Sequence, residues 1–387
     1  MNILFQSKSD LYNPRGGDTI QMEKLSEEIR KLGHNVDINL TINPDLERYD
    51  IVNIFNINHI VEFYPQFKNA KKQNKKVVIS AIYHSMRDIK TWEKLNSYGF
   101  RKLLNSLGIT NQYVRDYLKN IYKIIFEKKY DKILPLINQM IIGTKKQQKE
   151  VIENCDMVFV QTLREVEDIK TELDISDFRF GHVVNGVDTS YADLSAEEIK
   201  NKYKLDKYIL EVGRIEPRKN QLMVIDAYEK LAAEGKLGND IKLVFAGDKN
   251  AHHQSYFSKF TARITNNSNI IYLGFMPYSD IQHLMTGAMV HVYPSWFETT
   301  GLLNIEALWA GTKVVTSGAR TKEYVKDYGH YCNPSDLNSI ADAIIKSLNS
   351  DIDFCEVKRY IKDNFTWEIA AKQCVRYYEE ILYGNTN

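Results

Sequence analysis

A chain of 387 residues is longer than one hydrophobic core usually serves, so two domains are expected. With 43% hydrophobic and 26% charged residues it is neither disordered nor fibrous, and a formal net charge of +1 excludes the molecule-wide positive bias of a nucleic-acid binder. Cys155, Cys332, Cys355 and Cys374 are scattered without metal-ligand spacing and read as buried thiols of a reducing compartment.

Strand and helix patterns alternate along the chain, which predicts an α/β fold of parallel sheets wound with helices. In the first half the strands are expected at Asn2–Gln6, Asn35–Leu40, Ile51–Phe55, Lys76–Ile82, Met157–Gln161 and Gly181–Val184. The chain enters the first strand with no charged, apolar leader, and no apolar run nears the ~18 residues of a membrane span, so a cytoplasmic location is expected. Gly16-Gly17 precedes a helix at Thr19–Leu32, where Ile20, Leu25, Ile29 and Leu32 recur at close to helical period. That loop offers backbone to a ligand. His84 follows the fourth strand and is a candidate for the ligand side of the sheet; a lone histidine is as readily a satisfied surface or core residue.

Residues 87–150 form an insertion rich in Lys and Arg, among them Arg101, Lys102, Arg115, Lys119, Lys123, Lys128, Lys129, Lys132, Lys145, Lys146 and Lys149. Trp92, Tyr98, Phe100, Tyr113, Tyr117, Tyr122, Phe126 and Tyr130 are interleaved with them. The pattern suits an anionic membrane surface, or equally a solvated helical face whose aromatics are core. No nucleic-acid-binding motif accompanies it. In the membrane case, replacing Lys119, Lys123, Lys128 and Lys129 with Gln should release the protein from anionic vesicles.

The turn-forming Asn185-Gly186-Val187-Asp188 and a polar helix from Ser195 mark a seam. It divides the chain into an N-terminal domain, 1–188, and a second domain, 189–364, with a terminal helical segment, 365–387. Second-half strands are expected at Tyr208–Val212, Lys242–Ala246, Ile270–Leu273, Ala288–Tyr293, Lys313–Thr316 and His330–Cys332. After the first of them come Gly213, Arg214 and, near a helix entrance, Lys219. A glycine that permits close approach followed by two fixed cations suits an anion, although a basic cluster alone is often a solvated loop.

The stretch from Pro294 to Gly311 carries the most information. Glu298 and Glu306 bracket seven residues where the strand Ala288–Tyr293 gives way to a helix from about Leu302 to Ala310. Ligands of open α/β sheets bind beyond the carboxyl ends of the strands, and a helix start there presents free N–H groups to an anion. Gly301 stands where the backbone must approach something closely or take a positive φ. A glycosidase-like carboxylate pair fits less well. Eight residues of helix would separate the carboxyls by roughly 12 Å, outside the usual spacing of about 5–9.5 Å.

Glu298-x7-Glu306 resembles the signature of retaining glycosyltransferases of family 4, whose GT-B architecture sets two Rossmann-like domains about a central cleft. The supporting motifs stand in the same order: Val212-Gly213-Arg214 with Lys219, Ala246-Gly247-Asp248, Leu273-Gly274, and Thr316-Ser317-Gly318 with Glu323. The resemblance covers essentially the whole chain. It implies transfer of a hexosyl unit from a UDP- or GDP-sugar to a hydroxyl of a surface glycan or lipid-linked oligosaccharide, with no metal and no further cofactor. It places Arg214 and Lys219 on the diphosphate, Glu306 on the ribose hydroxyls and Glu298 on the transferred sugar. Gly301 and Leu302 would give backbone N–H groups to the phosphates, Gly16, Gly17 and His84 would serve the first-domain side, and the terminal helix would cross back to the N-terminal domain. The chain departs from the family at Thr299 and Thr300, where a glycine and an aromatic are usual. Their hydroxyls either donate to phosphate or cap the helix.

Other readings are an epimerase or phosphorylase of the same fold, or a nucleotide-sugar-binding protein without catalysis. Asp351-Ile352-Asp353 is an Asp-x-Asp triplet far in sequence from the phosphate loops and reads as a solvated turn.

Overall fold

The computed structural model describes residues 1–13, 16–95, 106–109, 111–126, 130–189 and 196–384. They form two compact units: Met1–Ser85 with Gly108–Gly186 and Trp367–Asn387, and Met86–Leu107 with Val187–Thr366. Arg101, Lys102, Lys128, Lys129, Tyr98, Phe100 and Ser195 lie outside the described residues, as do the side chains of Lys119, Lys123 and Tyr113.

In the first unit β1 (Asn2–Gln6) leads to α1 (Gly17–Lys31), β2 (Asn35–Ile38), β3 (Ile51–Phe55), α2 (Ile60–Lys72) and β4 (Lys76–Ser80). After α3 (Met86–Leu95), which belongs to the second unit, come α4 (Gln112–Phe126), α5 (Ile133–Ile142), α6 (Thr144–Asn154), β5 (Met157–Val160), α7 (Leu163–Leu173) and β6 (Phe180–His182). The strands lie in the order β2-β1-β3-β4-β5-β6, all parallel. Helices cover both faces, and for that reason β3 and β5 are buried at every position.

The second unit contains α8 (Ala196–Tyr203), β7 (Lys207–Val212), α9 (Gln221–Ala233), β8 (Ile241–Ala246), α10 (Gln254–Thr265) and β9 (Ile270–Tyr272). It continues with α11 (Tyr278–Gly287), β10 (Val290–Tyr293), α12 (Leu302–Trp309), β11 (Lys313–Thr316), α13 (Ala319–Val325), β12 (His330–Tyr331), α14 (Leu337–Asn349) and α15 (Phe354–Asn364). Its parallel order is β12-β11-β10-β7-β8-β9. The last helix, α16 (Trp367–Tyr383), packs in the first unit against α1. Asn53, buried in β3, donates to the Tyr378 hydroxyl at 2.7 Å and accepts from Ser80 Oγ at 3.1 Å, so a polar residue in a core strand is satisfied by the helix that covers it.

All twelve strands fall where expected: β1, β3 and β11 match at both ends, β7 and β8 begin one residue earlier, β6 is shifted toward the N-terminus, and the other six are shorter. β2 stops at Ile38 because the Asn39 carboxamide oxygen takes the Thr41 N–H and hydroxyl, turning the chain. β4 stops at Ser80 because Ile82 adopts φ +45°, which no strand continues. The cysteines are free, but Cys355 is exposed, contrary to the expected burial, because it lies in the first turn of α15 beside the capping residue Asp353. The Asp353 carboxylate accepts from the Cys355 and Glu356 N–H groups, so this member of the Asp-x-Asp triplet is a helix cap. Among the described residues no helix is long and apolar enough to cross a membrane.

Candidate active site

The strand order of the second sheet reverses between β7 and β10: β8 and β9 follow β7 to one side, β10, β11 and β12 to the other. Loops leaving β7 and β10 therefore diverge and open a crevice at the carboxyl edge, the place where open α/β sheets hold ligands. From β7 come Gly213 and Arg214, a 3-10 turn at Pro217–Lys219, and Asn220 at φ +69° before α9. The other wall is Pro294 to Thr300, then Gly301 at φ +69°, then α12. A side chain on Gly301 would lie 2.7 Å from Asn304 Nδ2, so both the turn and the space require glycine.

The two loops are joined by charge. Glu298 Oε1 accepts from Lys219 Nζ at 2.7 Å, Arg218 Nη1 at 2.8 Å and Ser295 Oγ at 2.6 Å. All three bonds fall on one oxygen. Burial acts to raise the Glu298 carboxyl, but Arg218 and Lys219 outweigh it and hold it down at about 2. Glu216 is likewise held at about 2 against burial by Arg218, Arg214 and Lys219, and it takes Arg218 Nη2 at 3.0 Å and Asn250 Nδ2 at 2.6 Å. The Lys219 ammonium is drawn below its ordinary value by burial and by Arg218 beside it; it also donates to the Tyr293 hydroxyl. Arg218 Nη1 further donates to the Phe297 carbonyl at 3.0 Å, and the Arg218 carbonyl accepts from Trp296 N–H at 3.0 Å.

Arg214 differs from its neighbours. It is half-buried, and its guanidinium makes no hydrogen bond or ion pair among the described residues. Its charge helps to hold Glu216 down. The N-cap glycine brings no capping side chain, and the Asn304 N–H turns back to the Gly301 carbonyl at 2.9 Å, so the N–H groups of Leu302 and Leu303 are the ones presented from the β10 side of the same crevice. The N-cap position is taken by Gly301; Thr300 before it is buried and Thr299 half-buried.

Glu306, one turn into α12, is buried and accepts from the Tyr278 hydroxyl at 2.7 Å. Burial raises its carboxyl to about 7, the Tyr278 bond works against that rise and Asp188 adds to it. Beneath the loops, burial also pushes Glu211 of β7 well above the carboxylate range, and Gln221 Nε2 donates to its Oε1 at 3.2 Å.

Gly247 and Asp248 support the β7 loop from behind. The Asp248 carbonyl accepts from Ile215 N–H at 2.9 Å, and its exposed carboxylate takes the Lys249 N–H at 2.7 Å. Gly247 sits at φ +144°, and a Cβ there would lie 2.1 Å from the Gly213 carbonyl oxygen. Gly247→Ala should therefore cost about 1–3 kcal/mol from the backbone conformation alone. Calorimetric melting would show it as a lowered Tm, and an unchanged Tm would mean that the loop accommodates the methyl.

The structure thus brings together Gly213, Arg214, Lys219, Glu298, Gly301, Leu302 and Glu306 in the second unit. Gly16, Gly17 and His84 lie in the first unit, at the carboxyl ends of β1 and β4. A Cβ on Gly17 would meet nothing within 4 Å, so the fold of that unit does not itself demand glycine there. His84 N–H donates to Asn58 Oδ1 at 3.3 Å, and Asn58 Nδ2 donates to the Ile82 carbonyl at 2.6 Å, which ties the loop after β4 to the one after β3.

Sequence reasoning missed Arg218, Ser295, Tyr278 and Tyr293 as members of the site. It also missed Trp92 of α3, which meets Phe297 edge-on with ring centroids 5.9 Å apart, next to Glu298.

Two six-stranded parallel sheets wound with helices, one carrying this crevice at its switch point, define the GT-B glycosyltransferase fold. Residues 195–364 match the model of the glycosyl transferases group 1 family. O-antigen chain mannosyltransferase B of Escherichia coli is 30% identical over 187 residues, covering 47% of this chain and 48% of that protein. The chain spans half or less of the length of the first curated relatives it matches. Sucrose-phosphate synthase of Thermosynechococcus elongatus has a similar fold, with TM-score 0.71, 13% identity and 100% of both chains covered. HepE of Anabaena, solved in complex with UDP-glucose, gives TM-score 0.67 at 14% identity, covering 98% of this chain and 100% of that one.

Proposed function

We propose that the protein is a retaining, metal-independent hexosyltransferase. It moves a hexosyl unit from a UDP- or GDP-sugar to a hydroxyl of a surface glycan or lipid-linked oligosaccharide. The observation that carries this reading is an uncommitted guanidinium, Arg214, at the same switch point as the uncapped N-terminus of α12. As the bond from sugar C1 to the leaving oxygen breaks, its electron pair goes to the diphosphate, and fixed positive groups at that point lower the barrier. Arg214, Lys219 and the first N–H groups of α12, at Leu302 and beyond, meet that charge.

Glu298 presents its second carboxylate oxygen, which takes no hydrogen bond among the described residues, to hydroxyls of the transferred sugar. Glu306 accepts from the ribose hydroxyls. The acceptor attacks from the face the leaving phosphate vacates and gives its proton to that phosphate, which retains the configuration at C1. Gly16, Gly17 and His84 serve the acceptor side. The names of the mannosyltransferase relative and of the HepE complex support hexose and nucleotide-sugar chemistry. A cytoplasmic protein held peripherally at an anionic membrane fits the basic composition of residues 87–150.

The test is release of nucleoside diphosphate from UDP- and GDP-sugars in EDTA, with and without a glycan acceptor. Acceptor-dependent release, unchanged by chelation, is expected. Loss in EDTA with recovery on adding manganese would overturn metal independence. Conversion of the sugar without an acceptor would point to an epimerase, and tight binding without release to a binding protein.

A further inference from the structure

We infer that the outward face of α4 and α5 inserts into the boundary between headgroups and acyl chains of an anionic lipid layer. The inference rests on the peripheral-membrane part of the preceding reading and is independent of the donor chemistry. Eleven of the eighteen exposed large hydrophobic side chains among the described residues lie between Val114 and Ile141.

On α4 the inward residues Tyr117, Ile121 and Ile124 pack with Val61 of α2 and Leu136 of α5. Yet Val114, Leu118, Tyr122 and Ile125, at intervals of four, four and three, form a second apolar stripe that faces solvent. Helix α5 contains no charged residue, and its Leu134 and Ile141 are each 78% exposed. Both helices are thus apolar on the side that is exposed among the described residues.

Charge selects the occupant. Between residues 111 and 149 the sequence has nine Lys and Arg against three Asp and Glu. Arg115 and Lys132 are withdrawn from the surface: Arg115 is buried with Nε on the Ile109 carbonyl, and Lys132 is buried in an ion pair with Glu62 at 2.7 Å. Exposed Lys145 and Lys146 open α6 directly after α5. Beside α5 a groove sets Leu134 and Pro135 opposite Lys68 and Lys72, with Asp131 as the one acid lining it. Lys68 pairs with Glu150 at 3.0 Å, while Lys72 has no ion pair among the described residues.

An apolar ridge flanked by ammonium groups matches an acyl region under anionic phosphates. A second copy of the same face would bring like charges together. The ten residues of α5 extend about 15 Å, half of a hydrocarbon core, so the helix lies in the interface and does not span it. Tyr122 and Tyr130, both exposed, put polar tips on apolar rings, as side chains at that level do.

The full chain is sedimented with phosphatidylglycerol–phosphatidylcholine vesicles and with phosphatidylcholine vesicles, at about 0.15 M and 0.5 M salt. Binding to anionic vesicles that weakens but survives in high salt is expected. Leu134→Glu with Ile141→Glu should lower the partition at least tenfold with Tm unchanged, since both side chains are exposed. Lys145→Gln and Lys146→Gln should each lower it about fivefold at low salt, the equivalent of about 1 kcal/mol per lysine. Binding abolished by salt and by the lysine variants, but indifferent to the glutamate pair, would overturn insertion and leave electrostatic docking standing. No sedimentation of the parent with either vesicle would end both. A lipid-free dimer that the glutamate pair dissolves would overturn the inference in favour of a contact between copies.

Discussion

Arg214→Ala is expected to slow transfer by two orders of magnitude or more while leaving stability within about 0.5 kcal/mol of the parent. The guanidinium has no hydrogen-bonded or ion-paired partner in the described structure, so its removal strands no other charge beyond relaxing Glu216. What it does remove is a fixed cation at the proposed diphosphate, and one preorganised donor is typically worth about 2.7–4 kcal/mol in the transition state. Lys219→Ala should slow transfer to a similar extent and also destabilise the fold. Lys219 is one of two cations on Glu298 and donates to Tyr293, so truncation leaves a largely buried carboxylate with one cation, Arg218, and the Ser295 hydroxyl. The cost should fall below the about 3–5 kcal/mol of a buried charge with no partner left, because Arg218 remains. Turnover at saturating donor and calorimetric Tm, measured on both variants, separate the two roles. Undiminished turnover in both would remove the leaving-group assignment, whatever their stabilities.

That contrast shows how far the sequence carries. Strands covered on both faces must be apolar almost throughout, so β5 stands out as an unbroken hydrophobic run and β3 and β10 as runs interrupted only by Asn53 and His291. Strand ends are less legible because local side chains intervene, as the Asn39 carboxamide does after β2. The site divides in the same way. Gly213, Arg214 and Gly301 follow from local rules: a strand, a turn, a helix start.

Arg218 did not stand out because its meaning depends on a loop eighty residues later, where Phe297 and Glu298 receive its donors. Tyr278 is separated from Glu306 by a strand and a loop, and nothing in its own neighbourhood marks it. In residues 87–150 composition revealed the charge but not its placement. Lys132 turned inward to Glu62, while Leu134 and Ile141 turned out, and only tertiary packing decides such orientations.

Glu306 should make stability depend on pH across neutrality. Burial raises its folded-state value to about 7 from an ordinary 4.5. In the unfolded chain the carboxyl is charged above about pH 4.5, whereas in the native protein it keeps its proton until about pH 7. The native state therefore binds more protons between those limits, and stability falls as pH rises through that window, by about 3 kcal/mol in all, then levels off.

Glu306→Gln cannot ionise. It should match the parent near pH 4.5 and be the more stable protein at pH 8. Glu211, also raised by burial, contributes to both proteins and cancels in the difference. Nucleotide binding should show the opposite preference. Ribose hydroxyls donate best to a charged carboxylate, so parent affinity should rise through pH 7 with release of a proton, and Glu306→Gln should bind weakly without that rise. Calorimetric melts at pH 5 and pH 8, with nucleoside diphosphate titrations in two buffers of different ionisation enthalpy, measure both effects. Parallel stability profiles for parent and variant, with no proton released on binding, would mean that Glu306 is already charged at neutral pH and that its burial is offset by partners other than Tyr278.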